Sequence, residues 1–136
     1  MTKVIPYDIS HLDTMDLSKD QESLEELKAN TSYFTDAYTI EIDGKFIFSI
    51  GAFLINDQTA NVWLIKSVHI EKYKIEVIKT VKMVIENYFK MYKLKRMQTL
   101  ILNEKFKKWI ELFGFELESE LINYSSNKTY MYRRFK

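Results

Sequence analysis

The hydrophobic pattern of the chain switches between two periods, and the switches mark its elements. From Ala37 to Asp43, the apolar Tyr38, Ile40 and Ile42 alternate with Thr39, Glu41 and Asp43, which puts one apolar face on a half-buried strand. The run stops at Asp43-Gly44, a dipeptide that accepts the positive φ of a tight turn, so the next strand should fold straight back. That strand, Lys45 to Ile55, reads KFIFSIGAFLI. It is apolar on both faces, which predicts a central position, with Gly51 marking a bulge or a close backbone approach. Asn56 to Ala60 is polar turn chemistry, and Asn61 to Ile70 predicts a third strand.

The period then lengthens. Ile75, Ile78, Val81, Val84, Ile85, Tyr88 and Phe89 share one helical face, with Lys74, Lys79, Lys82, Glu86 and Lys90 on the other, which predicts a helix from Lys74 to Met91. Leu94 to Leu102 returns to strand alternation, with Met97, Thr99 and Ile101 on one side. Asn103 opens a helix that carries Phe106, Trp109, Ile110 and Phe113 and ends at Gly114. Phe115 to Tyr124 and Thr129 to Phe135 predict a closing hairpin around Ser125, Ser126 and Asn127. Upstream, helical spacing runs from Ile9 to Met15 and from Lys19 to Ala29, after the cap-type residues Asp8, Ser10, Asp16 and Ser18. Val4 to Tyr7 is a short apolar segment with Pro6.

A strand, long helix, strand crossover between Val62 and Leu102 requires neighbouring and roughly parallel strands, whereas the flanking strands form hairpins. The pattern therefore predicts one α/β domain of mixed α+β type over residues 1–136. Its central mixed sheet should be mostly antiparallel, with helices on both faces.

Composition narrows the chemistry. The 20 Lys and Arg residues nearly balance the 19 Asp and Glu residues, so no net field favours a nucleic-acid partner or an anionic membrane. The distribution is uneven: acids such as Asp13, Asp16, Asp20, Glu22, Glu25 and Glu26 cluster early, and lysines and arginines dominate from Lys66 onward. Zero cysteines exclude disulfides, thiolate metal ligands and a cysteine nucleophile. The two histidines, His11 and His69, lie far apart without spaced carboxylates, a poor zinc set, so no metal is expected. No secretory pattern opens the sequence and no apolar run has membrane-spanning length, which predicts a cytoplasmic protein without a membrane partner.

The element order, together with the segment LILNEKFKKWIELFGF, resembles the GNAT superfamily of N-acetyltransferases over most of the chain. The strand leading into Asn103, the helix after it and Gly114-Phe115 are similar to one half of that fold. Asp43-Gly44 with the apolar strand behind it is similar to its central hairpin. Within the superfamily, DLSKDQESLEE at Asp16 to Glu26, Trp63-Leu64 and the Asn103 to Trp109 spacing resemble a small phage-encoded group.

The resemblance implies acetyl-CoA as cofactor and an amine-bearing small molecule or protein as acceptor. It also leaves open a catalytically silent fold that binds a phage or host protein, with a virion location, and it allows a homodimer. Direct acyl transfer must hold a pyrophosphate, polarise a thioester carbonyl and move a proton. For the pyrophosphate, the superfamily uses a glycine-rich loop opening the long helix, where N–H groups and the helix dipole meet the anion. Here Glu71 to Val77 holds no glycine, and Lys72 and Lys74 remain as candidate phosphate ligands. Val68, His69 and Ile70 are the candidate backbone donors to the carbonyl, and Asn103 belongs to the same cofactor-binding set. The tyrosine that many members carry as general acid is replaced by Ile110, which leaves Tyr73, Tyr88, Tyr124 and Tyr130 as substitutes. His69 and Glu41 are the candidate bases, although a strand histidine and an alternating glutamate are also ordinary structural residues.

Overall fold

Among the described residues, seven strands and four α-helices follow one another as β1 (Thr2–Pro6), α1 (His11–Thr14), α2 (Leu24–Thr31), β2 (Asp36–Ile42), β3 (Lys45–Leu54), β4 (Thr59–Lys66), α3 (Lys74–Met91), β5 (Arg96–Ile101), α4 (Lys107–Leu112), β6 (Glu116–Leu121) and β7 (Thr129–Phe135). A 3-10 turn, Glu104–Phe106, leads into α4. The computed structural model describes residues 1–19, 21–31, 36–101, 104–121 and 129–136. Leu102, Asn103, Tyr124, Ser125, Ser126 and Asn127 lie outside the described residues.

The strands form one sheet in the order β1-β2-β3-β4-β5-β7-β6, antiparallel throughout except for the β4–β5 pair. Asp43 and Gly44 turn β2 into β3 with φ of 52° and 79°, the left-handed pair that this dipeptide tolerates. Gly114 closes α4 at φ 96°. One face of the sheet, built from Ile40, Phe48, Ile50, Val62, Met97 and Tyr132, packs on Val77, Val81, Ile85 and Tyr88 of α3 and on Trp109, Ile110 and Phe113 near α4. On the other face, Leu12, Met15, Leu27 and Ile65 form a smaller cluster under α1 and α2. Helices thus cover both faces, as the pattern predicts.

Four details differ from the sequence reading. For β1 the sequence predicts only a short apolar segment at Val4 to Tyr7. It is mostly exposed, so it lacks alternation, and it is held by backbone pairing with β2 from Thr2↔Ile42 to Pro6↔Tyr38. α2 starts at Leu24 rather than Lys19, because Ser23 caps it: the Glu26 N–H donates to Ser23 Oγ at 3.3 Å, and that hydroxyl donates to Glu26 Oε1 at 3.1 Å. β4 ends at Lys66 rather than Ile70. The bulge lies between Ile40 and Glu41, whose partners jump from Phe48 to Phe46, whereas Gly51 pairs in regular register with Ala37 and Trp63.

Candidate functional site: the fork between β4 and β5

The two parallel strands pair only at Thr59↔Arg96, Ala60↔Met97 and Asn61↔Gln98, then part. Beyond that point, β4 offers one bare edge. Its hydrogen-bond parity follows from two β3 contacts, Ile55 N–H to Thr59 O at 2.9 Å and Ser67 N–H to Ile47 O at 3.0 Å. Odd-numbered residues of β4 therefore exchange bonds with β3, and even-numbered ones turn their N–H and C=O toward the fork.

Most of those even-numbered groups are claimed. Buried Thr99 donates its hydroxyl to Val62 O at 2.9 Å, at the vertex, where Asn61, Val62, Trp63, Thr99 and Leu100 line a small cleft. Gln21 acts as a substitute strand: its amide accepts the Lys66 N–H at 3.1 Å and donates to Lys66 O at 2.6 Å. The Ser18 N–H also donates to Lys66 O at 3.1 Å, and the Val68 N–H donates to Asp16 O at 2.8 Å. Between Val62 and Lys66 stands Leu64, for whose N–H and C=O no partner is found on this edge among the described residues. The open edge is thus about one residue long, room for one secondary amide or thioester carbonyl laid alongside.

The fork opens toward the C-terminal ends of its strands, where α3 begins on one side and the 3-10 turn and α4 on the other. Lys66 is buried there, with its ammonium 4.4 Å from the centroid of the Phe106 ring. Trp109, also buried, donates its indole N–H to Glu71 Oε1 at 3.2 Å, a crossbar from α4 to the start of α3. The buried Tyr73 ring caps α3 without a side-chain cap bond and donates its hydroxyl to Asp43 Oδ2 at 3.3 Å. The α1-to-α2 segment also holds Glu22, half-buried, whose carboxyl is pushed up by burial, with the nearby Glu26 carboxylate adding to it.

The sequence-derived candidates scatter. Val68, His69 and Ile70 lie past the end of β4, and their N–H groups are engaged inside the chain, by Asp16 O, by Ser67 Oγ at 3.2 Å and by Ser67 O at 3.4 Å. His69 Nε2 pairs with Asp16 Oδ2 at 2.7 Å in a separate cleft, lined also by Thr14, Gly44, Lys45 and Phe46. Glu41 sits on β2, opposite Lys3 and Phe46, two strands from the fork. Lys72 and Lys74 are exposed at the start of α3, with the Lys72 ammonium 5.3 Å from the centroid of the Tyr73 ring. Asn103 and Tyr124 are outside the described residues.

Ile110 is fully buried in the core. Tyr88 is tied to Asp36 O at 3.1 Å, and burial raises its hydroxyl far above the usual range. Tyr130 donates to Glu104 Oε1 at 2.6 Å, a bond that pushes its pKa up to about 12. The sequence reading missed Gln21, Glu22 and the paired roles of Thr99 and Glu71. For Thr99 a signal existed, since it is the polar member of a buried alternation with Met97 and Ile101.

Among the described residues, no group of His, Asp and Glu is placed to hold a metal, and no helix is long and apolar enough to cross a membrane. A seven-stranded mixed sheet parts between its parallel central strands, and a long helix crosses over between them. The chain has the GNAT fold. It superimposes on an acetyltransferase from Streptococcus agalactiae with a TM-score of 0.75 at 17% identity, covering 99% of this chain and 98% of that one. Ard1 from Thermoplasma volcanium matches with a TM-score of 0.72 at 7% identity over 98% of this chain and 97% of its own. A point variant of spermidine N-acetyltransferase SpeG from Vibrio cholerae matches with a TM-score of 0.69 at 14% identity over 98% and 93%. No family model matches the chain, and no curated protein does.

Proposed function

We propose that this chain is an N-acetyltransferase that takes acetyl-CoA as donor and an amine as acceptor, with the transfer taking place in the β4–β5 fork. The observation that carries this reading is the N–H and C=O pair of Leu64, which finds no partner among the described residues, between the claimed groups of Val62 and Lys66. A fixed N–H on a strand edge polarises a carbonyl without reorganising when charge develops on its oxygen. An amine acceptor is consistent with the SpeG neighbour, a spermidine N-acetyltransferase. An arriving ammonium must lose a proton before its nitrogen can attack the carbonyl.

The residues fit the two ends of the donor unequally. The arm that carries the thioester finds an edge to pair with at Leu64. The diphosphate end finds the Glu71 carboxylate and no glycine at the start of α3. That carboxylate favours a second reading, a catalytically silent member of the fold that serves as a binding protein.

Release of the coenzyme thiol from acetyl-CoA with a panel of small amines and polyamines separates the two readings, and the absence of cysteine keeps the thiol assay clear of protein background. The expected result is amine-dependent thiol release together with a raised thermal midpoint, since a ligand at a hundred times its dissociation constant stabilises by about 2.7 kcal/mol. Neither release nor a thermal shift at millimolar acetyl-CoA would leave only the binding-protein reading.

A further inference from the structure

We infer that the groove between α3 and the β1–β2 edge of the sheet is a second binding site, for a small quaternary ammonium compound held against Tyr38 and the thioethers of Met83 and Met91. The groove lies two strands away from the fork. A nitrogen with four carbon substituents has no lone pair with which to attack a carbonyl, so such a compound is a ligand and not an acyl acceptor.

The groove exists because α3 overhangs the edge strand without covering it. Val4 of β1 lies opposite Ile40 of β2, so the two side chains stand on the same face of the sheet. Ile40 is fully buried under α3, whereas Val4 is exposed. Met83 and Met91, two turns apart on α3, are exposed above it. A cavity of about 260 Å³ is left between strand and helix.

No charged side chain lines that cavity. Its polar atoms are the Asn87 amide and the hydroxyls of Tyr38 and Tyr88, and the Tyr88 hydroxyl is already donated to Asp36 O at 3.1 Å. A bare ammonium brings three N–H donors that would need acceptors there, and a fully methylated one brings none.

What draws positive charge stands just behind the lining. The rings of Tyr38 and Tyr88 lie 6.2 Å apart and those of Tyr88 and Tyr92 6.4 Å apart, three π systems in a row. The Asp36 carboxylate accepts the Tyr92 hydroxyl at 3.0 Å, and among the described residues no lysine or arginine pairs with it. Burial, with the Asp36 charge adding to it, raises all three tyrosine hydroxyls, so they stay neutral and the cluster keeps one negative charge. The chain places its own cations over other rings, Lys66 over Phe106, Lys72 over Tyr73, Lys107 over Tyr130 and Arg134 over Phe89. Among the described residues none lies over Tyr38, Tyr88 or Tyr92. A quaternary ammonium in the groove meets a ring face and polarizable sulfur, with an uncompensated carboxylate close behind.

Titration of the full chain with choline and with its uncharged isostere 3,3-dimethyl-1-butanol, read by the methionine methyl signals in NMR spectra, tests this. Choline is expected to bind about tenfold more tightly than the alcohol and to move the Met83 and Met91 signals. Equal binding of the two would show a groove that selects only for apolar surface and would overturn the inference, as would no binding of choline at tens of millimolar. Ethanolamine, the unmethylated counterpart, should bind about fivefold more weakly than choline, and tighter binding would overturn the choice of a quaternary nitrogen. Tyr38→Phe keeps the ring and should hold choline affinity within about twofold, whereas Tyr38→Leu should lose about fivefold. Asp36→Asn keeps the shape and should lose about threefold. Affinity unchanged in both Tyr38→Leu and Asp36→Asn would remove the site from this groove. A dimer in sedimentation that Met83→Glu dissociates and choline leaves intact would give the groove to a second copy of the chain and overturn the inference.

Discussion

The two halves of the sheet are held together by different physics. From β1 to β4 the strands run in long antiparallel ladders, with α1 and α2 covering one face and α3 the other, so nearly every inward side chain is buried. The half made of β5, β7 and β6 has helical cover on one face only. Its open face carries an ion-pair network, in which Arg96 grips Glu118 with two bonds of 2.7 and 2.6 Å and Arg133 reaches Glu118 at 3.1 Å and Glu116 at 3.3 Å. Phe135 lies under both guanidinium groups. Between the halves stand three residue pairs and the Thr99 hydroxyl. The candidate site is therefore where the ladder fails, because there, among the described residues, a central strand keeps a backbone group for something other than itself.

The largest effect should come from removing the apolar filling of that junction. Met97 is fully buried opposite Ala60 in the short parallel stretch, so Met97→Ala loses transfer energy and leaves a cavity, a cost of about 2–5 kcal/mol in urea unfolding. Leu117→Ala on the half-exposed edge strand β6 should stay within about 0.5 kcal/mol. Equal losses at the two sites would mean that the halves are not held differently. A step down in size is Thr99→Val, which keeps the shape and strips the hydroxyl from Val62 O. Leaving that carbonyl without its donor should cost about 1–3 kcal/mol. Amide exchange should speed up at Thr59 to Val62 and across β5, while β2 and β3 keep their protection. Uniform acceleration across the sheet would refute the view of the fork as its weak seam.

These sites also show how far the sequence alone reaches. The crossover helix was legible to its end residues, Lys74 and Met91, because a long stripe with a charged back face has one reading. The Asp43-Gly44 turn was legible because its dihedral demand is local. β1 was not, since an edge strand pinned by backbone pairing needs no pattern. The end of β4 was misjudged because the partners of Lys66 and Val68 sit at Asp16, Ser18 and Gln21, about fifty positions upstream, and amide-to-backbone pairing leaves no trace in hydrophobicity. For the same reason hydrophobicity does not show that the N–H groups of Val68, His69 and Ile70 are bonded to Asp16 and Ser67. Trp109 was legible only as an apolar residue of its helix, and a buried indole N–H needs an acceptor. That the acceptor is Glu71, across the mouth of the fork, only the fold could tell.

The smallest effect tests the other side of the comparison, whether the outer half leans on charge. The Arg96 guanidinium, bonded to Glu118, holds that carboxyl below the usual carboxylate range, with Arg133 adding to the pull. A carboxyl whose folded value is depressed favours the folded state above its unfolded value of about 4.3, and that contribution is lost as pH falls through the folded value. Wild type should therefore exceed Glu118→Gln in thermal midpoint at pH 7, and the two curves should converge in acid below about pH 4. Because the pair is partly exposed, the gap at neutral pH should be under about 1 kcal/mol. It should shrink further in about 1 M salt, where charges are screened within about 3 Å. The same salt should leave the Met97→Ala loss untouched, since that loss comes from buried apolar surface. A Glu118→Gln gap that ignored both pH and salt would show that the outer half, too, is held by packing.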